Sequence, residues 1–152
     1  MDKNEALRLE NQLCFALYAG SKEMNSIYKP FLDELSLTYT QFITMLVLWE
    51  KPVIAFKELG NRLLLDSGTL TPLVKKLEAA GLLIRERDTR DERNVIITLT
   101  AEGMNLREKA YPVPMKVFKS MGITLEELIS LRESLNGLVK NLQESKNGSN
   151  EL

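Results

Sequence analysis

The chain has 152 residues, which suits one domain of ordinary size. Hydrophobic residues make up 44% and charged residues 27%, the balance of a soluble globular protein, and no run approaches the ~18 apolar residues of a membrane span. The start, Met1-Asp2-Lys3-Asn4-Glu5, has no apolar signal core, so a cytoplasmic location is expected. The absence of histidine excludes His-ligated metal sites and Ser-His or Cys-His nucleophile pairs, and a single cysteine, Cys14, excludes an intrachain disulfide or a zinc-binding cysteine cluster.

Residues 6–34 carry a long helical pattern, with Leu9, Leu13, Ala16, Leu17, Met24, Ile27 and Tyr28 at three- and four-residue steps. Pro30 is expected to end or kink it. Cys14 lies on the apolar side beside Leu13 and Leu17, where the bland reading is a small buried hydrophobe. Thr38-Tyr39-Thr40-Gln41 reads as a capping box opening a second helix, with Phe42, Met45, Leu46 and Trp49 on its apolar face. The free N–H groups at its start offer a place for a phosphate, although core packing is the ordinary job of such a helix. Pro52 stops it, and Val53-Ile54 reads as a short strand.

The stretch 53–99 changes character twice. Residues 56–64 form a helical pattern with Phe56, Leu59 and Leu63 on one face, and a polar turn is expected at Asp66-Ser67-Gly68. A second helical pattern follows, with Leu70, Leu73, Val74 and Leu77 on one face and Thr69, Thr71, Lys75 and Lys76 off it, closed by Gly81. Two caps offer themselves at its start: Asp66 as cap puts Pro72 just past the first turn, whereas Thr69 as cap puts Pro72 within it, and a start near Asp66 with a local distortion is expected. Beyond Gly81 the period becomes two, giving strands at 83–87 and 94–99 around the charged turn 88–93. Helix, turn, helix and charged hairpin make a winged helix-turn-helix, whose second helix enters a DNA major groove. Ser67, Thr69, Thr71 and Lys75 are the candidates for base edges and phosphates, and Lys76 is a more peripheral phosphate candidate. The hairpin alternates Arg85, Arg87, Arg90 and Arg93 with acidic residues; this reads either as a solvated ion-paired loop or as a wing whose arginine enters a narrow A·T minor groove. Bulk charge gives little help, because residues 55–97 hold 8 Lys+Arg and 7 Asp+Glu in a chain of net charge −1.

Thr100 caps a helix from 101 to about 110, Tyr111-Pro112-Val113-Pro114 breaks it, and a further piece runs to Met121. Thr124-Leu125-Glu126-Glu127 is another capping box, followed by Leu128, Leu131, Leu135, Leu138 and Leu142 at alternating three- and four-residue steps, a seam for another helix. With the first helix it makes the expected dimer interface. The expected architecture is thus mainly α with a small β-hairpin wing: one domain over 1–152, dimerisation helices at 6–34 and 101–144, the winged unit at 53–99, and a disordered polar tail at 145–152.

The run Leu65-Asp66-Ser67-Gly68-Thr69-Leu70-Thr71-Pro72-Leu73, with Lys75-Lys76-Leu77-Glu78, Asp91-Glu92-Arg93 and Leu99-Thr100-Ala101-Glu102-Gly103, resembles the MarR family of bacterial transcription regulators. The likeness spans about 10–142 and is closer to the organic hydroperoxide resistance branch and its single-cysteine relatives. Gln12-Leu13-Cys14-Phe15-Ala16-Leu17-Tyr18 matches that branch's peroxide-sensing context, and Tyr28 and Tyr39 match the two tyrosines it sets against the sensor sulfur from the partner subunit. The resemblance implies a homodimeric regulator on double-stranded, inverted-repeat DNA, released when an organic hydroperoxide or other oxidant oxidises Cys14. Without a second cysteine the sulfur must end as a mixed disulfide with a low-molecular-weight thiol, a cyclic sulfenamide or an overoxidised acid. The resemblance gives Arg93 the minor-groove or a bracing role with Asp91 orienting it; Arg90 is the more exposed alternative. No cofactor, metal or membrane is called for. Three other readings stand beside this one. Release by a small aromatic ligand would use Phe42, Met45, Trp49 and Met115 as a pocket lining; a single-cysteine peroxidase would need sustained turnover; an interaction module without DNA affinity would lack salt-dependent DNA binding.

Overall fold

The computed structural model describes residues 2–91 and 93–148. The elements in chain order are α1 (Lys3–Ala6), a 3-10 turn (Leu9–Asn11), α2 (Leu13–Asp33), α3 (Tyr39–Glu50), β1 (Val53–Ala55), α4 (Phe56–Leu63), α5 (Ser67–Ala79), β2 (Leu83–Arg87), β3 (Val95–Leu99), α6 (Ala101–Ala110), α7 (Val113–Met121) and α8 (Leu125–Gly148). They fall into two compact units, residues 1–114 and 115–152. None of the described helices is long and apolar enough to cross a membrane.

In the first unit three helical faces close over a small sheet. The strands run antiparallel in the order β1-β3-β2, with Ile54 opposite Ile97 and Leu83 opposite Leu99. The short third strand expected at Val53-Ile54 forms over Val53–Ala55 and pairs with β3. Leu59 from α4, Leu70, Val74 and Leu77 from α5, and Leu83 and Ile97 from the sheet are all buried. Each such side chain contributes about 1.5–3 kcal/mol of burial, so the spacing of apolar residues in 56–99 is what holds the winged unit together. Arg62 of α4 pairs with Glu50 of α3, tying the first helix of the motif to the helix behind it.

The capping boxes form as expected. Thr38 Oγ1 accepts from Gln41 N–H at 3.3 Å while Thr38 N–H donates to Gln41 Oε1 at 2.8 Å. At α8, Thr124 N–H donates to Glu127 Oε2 at 2.7 Å and Glu127 N–H donates to Thr124 Oγ1 at 3.2 Å. Thr100 caps α6 by accepting from Gly103 N–H, and its own hydroxyl donates to the Gly81 carbonyl at 2.6 Å. Gly81 has φ +74°, as the closing position of α5 requires.

Three boundaries differ from expectation. The N-terminal helix does not run from 6: a short helix and a 3-10 turn precede α2, and Gln12 Nε2–H donates to the Ala6 and Arg8 carbonyls at this break. Its far end does agree, since α2 closes at Asp33 against the expected 34, with Pro30 inside the helix. The turn inside the motif lies at Leu64-Leu65 rather than Asp66-Ser67-Gly68, because Leu64 takes the left-handed conformation (φ 55°) and Asp66 is already the cap. The helix at the C-terminal end extends through residues 145–148, which were expected to be disordered, while 149–152 lie outside the described residues. Leu46, placed on the apolar face of α3, is 38% exposed.

Candidate functional site

The second helix of the motif, α5, starts where the cap chemistry demands. Asp66 Oδ1 accepts from Thr69 N–H at 2.8 Å, and Thr69 Oγ1–H donates to Asp66 Oδ2 at 3.3 Å. These bonds hold the Asp66 carboxyl below its usual range, with the Thr69 backbone bond the largest cause. Asp66, not Thr69, is thus the cap, and Pro72 sits inside the helix. Without an N–H at Pro72, one intrahelical bond is missing near the start of α5.

Ser67, Thr69, Lys75 and Lys76 are exposed along α5, and Thr71 is half-buried. Both threonines already spend their hydroxyl hydrogen within the chain. Thr69 spends its hydroxyl hydrogen on Asp66, and Thr71 donates to the Ser67 carbonyl at 2.7 Å. Each keeps lone pairs for a base donor and a methyl for the thymine methyl, so both suit acceptor and apolar contacts. Thr69, Pro72, Leu73 and Lys76 share a cleft of about 230 Å³ with Thr38, Thr40 and Gln41, which brings the N-terminal turn of α3 beside the reading helix.

The hairpin tip is ordered by its own acidic residues. Asp88 N–H donates to the Asn94 carbonyl at 2.8 Å, and Arg90 N–H donates to Asp88 Oδ1 at 2.9 Å. Asp91 Oδ1 accepts from Arg93 N–H at 3.1 Å and lies 3.4 Å from Arg93 Nε. The Arg93 side chain is 94% exposed, with Nε held by Asp91; the Arg90 side chain is exposed too. At the base of the hairpin, Glu78 of α5 takes three hydrogen bonds from Arg85 of β2: the backbone N–H at 3.1 Å to Oε1, and Nε and an Nη at 2.8 and 2.6 Å to Oε2. The Arg85 bonds hold the Glu78 carboxyl below its usual range. Sequence pattern missed this pair, because it spans the change from helical to strand period.

Cys14 is the second residue of α2 and is exposed. The bland reading of a buried packing thiol does not hold within the chain, since Leu13 and Tyr18 around it are also more than half exposed. Tyr28, on the same helix, is 14 residues on, roughly 21 Å at a rise of ~1.5 Å per residue. Tyr28 meets Tyr39 edge-on at 5.1 Å between ring centroids, and burial followed by the Tyr39 phenol raises the Tyr28 pKa above the ordinary 10.0. Tyr28 thus keeps its proton at neutral pH and is a hydroxyl donor. The fold brings the two tyrosines together but not to the Cys14 of their own chain. The aromatic contacts continue inward, from Tyr28 to Phe42 at 5.9 Å and from Phe42 to Trp49 at 6.2 Å, and Trp49 Nε1–H donates to the buried Gly103 carbonyl at 2.9 Å. Phe42, Met45 and Trp49 are therefore core residues rather than a pocket lining, and Met115 is exposed.

The sequence matches the family model described as transcriptional regulator SarA/Rot over residues 26–110. It is 44% identical over 143 residues to the organic hydroperoxide resistance transcriptional regulator of Bacillus subtilis strain 168, covering 94% of this chain and 97% of that one. Among solved structures, reduced AbfR bound to DNA superposes with a TM-score of 0.76 at 35% identity, covering 93% of this chain and 99% of that one. Overoxidised AbfR bound to DNA gives 0.75 at the same identity and coverage.

Proposed function

The chain belongs to the MarR-type winged-helix transcription regulators, in the group that contains the organic hydroperoxide resistance and SarA/Rot regulators, and from that premise we propose how it holds DNA and what makes it let go. It is a DNA-binding transcription regulator governed by oxidation. A homodimer sets two α5 helices into successive major grooves of an inverted-repeat operator in the cytoplasm, one DNA turn apart. Ser67, Thr69 and Thr71 meet base edges, Lys75 and Lys76 meet phosphates, and the wing lays Arg93, braced by Asp91, along the minor groove, with Arg90 beside it. Serine and threonine carry little intrinsic base preference, so DNA shape supplies part of the specificity.

The observation that carries the redox reading is an exposed Cys14 in its matching sequence context, with a protonated Tyr28 packed on Tyr39 too far along the same helix to serve its own sulfur. In a two-fold dimer the tyrosine pair of one protomer serves the sulfur of the other. The Cys14 thiolate attacks the distal oxygen of an organic hydroperoxide: an S–O bond forms, the O–O bond breaks, and the alkoxide leaves as the alcohol after taking a proton. The sulfenic acid then condenses with a low-molecular-weight thiol to give a mixed disulfide and water, or is oxidised further. Each sulfur consumes peroxide stoichiometrically, as a switch rather than a turnover catalyst.

The test is fluorescence anisotropy of a selected operator with wild type and Cys14→Ser, before and after organic hydroperoxide. Release by wild type alone is the expected result. Full peroxide-induced release by Cys14→Ser sinks the redox assignment while leaving DNA binding intact.

A further inference from the structure

We infer that Glu78 is a positioning residue for DNA recognition: through Arg85 it sets the wing's direction relative to α5, and so the fit of the wing to the minor groove while α5 occupies the major groove. This rests on the wing reading given above and extends it to a residue that touches no DNA.

The hairpin leaves the core quickly. Leu83, at the start of β2, is buried, whereas Arg85 is half-buried and Glu86 and Arg87 are exposed. By strand alternation Leu83 and Arg85 point to the α5 side, and the next residue on that side, Arg87, has already left the core. Direction is therefore fixed at Arg85, just before the strand enters the wing. There the tie is unusually complete. One carboxylate takes the strand's own backbone N–H as well as two guanidinium N–H groups, so it fixes the position and the rotation of β2 together. Arg85 stands opposite Ile97, a buried residue of β3, so the restraint reaches both strands of the hairpin. Glu78 lies one helical turn beyond Lys75, a candidate phosphate contact, so the helix that reads the major groove carries the anchor of the wing. Arg93 lies about four strand residues from Arg85, roughly 13 Å at ~3.3 Å per residue, so a wing turned by about 10° at Arg85 displaces it by about 2 Å, enough to lose a narrow groove.

A purely structural ion pair would change melting and leave DNA discrimination alone. The full-length reduced protein is therefore compared as wild type, Glu78→Gln, Arg93→Ala, the double variant Glu78→Gln/Arg93→Ala, and the charge swap Glu78→Arg/Arg85→Glu. Anisotropy is read on the selected operator and on one whose wing-contacted A·T pairs are replaced by G·C. Circular dichroism confirms that each variant is folded at the working temperature. Glu78→Gln, isosteric and at a half-buried position, is expected to bind the operator about fivefold to tenfold more weakly and to lose most of the A·T preference. Arg93→Ala is expected to cost little more once Glu78 is changed, and the charge swap to recover part of the preference. Independent, additive losses for Glu78→Gln and Arg93→Ala overturn the inference, as does an unchanged A·T preference in Glu78→Gln. If Arg93→Ala alone leaves both affinity and preference unchanged, the wing reading itself fails and this inference falls with it.

Discussion

A methyl group on Gly103 would stand 2.2 Å from the Leu82 carbonyl oxygen and 2.6 Å from Leu99 Cδ1. The first neighbour is backbone and cannot swing away, so α6 must lift off the strand that follows α5. Gly103→Ala is expected to destabilise the protein by about 3 kcal/mol, the upper end of ordinary overpacking, seen as a lower urea midpoint with unchanged slope. A variant with the wild-type midpoint would show that α6 has room it does not display here. Three carboxylates give a second prediction at this scale. Asp66, Glu78 and Glu127 each have a folded pKa below the ordinary 3.8 or 4.5, through bonds from Thr69, Arg85 and Thr124 respectively. Because the unfolded chain takes up those protons first, their stabilisation is full above the ordinary carboxylate range and is lost as pH falls through the lowered values. The melting temperature should hold from neutral pH down to about pH 5 and then drop, and replacing all three by their amides should flatten that drop. An unchanged acid limb would mean that other carboxylates govern it.

At the scale of elements, the sequence was most readable where one local rule acts alone. Helices α3, α6 and α8 are capped by Thr38, Thr100 and Thr124, because a threonine hydroxyl that accepts the backbone N–H three residues on is a complete local device. The hairpin strands fall within a residue of expectation, because period two cannot be satisfied by a helix. The motif's turn was misplaced, since Leu64 takes a left-handed conformation that glycine or asparagine normally signals. Gly60 makes that turn possible: its missing Cβ would lie 3.0 Å from the Leu65 carbonyl oxygen. Candidate residues on α5 and the tip were legible as exposed positions of a known pattern, whereas Glu78–Arg85 and Trp49–Gly103 were not, because each joins different elements. The second of these ties carries its own prediction. Trp49→Phe keeps a ring against Phe42 but leaves the buried Gly103 carbonyl without the indole N–H, and should cost about 1–3 kcal/mol in equilibrium unfolding. A loss within error would mean that water replaces the indole.

For the molecule as a whole, the apolar surface that remains uncovered in one chain is itself an argument about assembly. On the helix at the C-terminal end, Leu131 and Leu142 are each more than half exposed, and Ile129 and Val139 more than a third. Near the other end Leu7, Leu9 and Leu13 are exposed as well. Scattered single leucines need no explanation, but apolar positions recurring along 24 residues of helix do. A partner subunit is the natural cover, and the proposed DNA contact asks for one too, because there each α5 takes one half-site. Leu131→Lys/Leu142→Lys places two charges in that cover without touching α5 or the wing. Sedimentation at micromolar concentrations is expected to give dimer for wild type and monomer for this variant. Operator affinity should fall by at least a hundredfold, as each half-site must now be bound without its tethered neighbour. The helical circular dichroism of the reading unit should persist. If the variant stays dimeric and binds as wild type, this seam is not the interface, and the exposed leucines at the N-terminal end must carry the dimer instead.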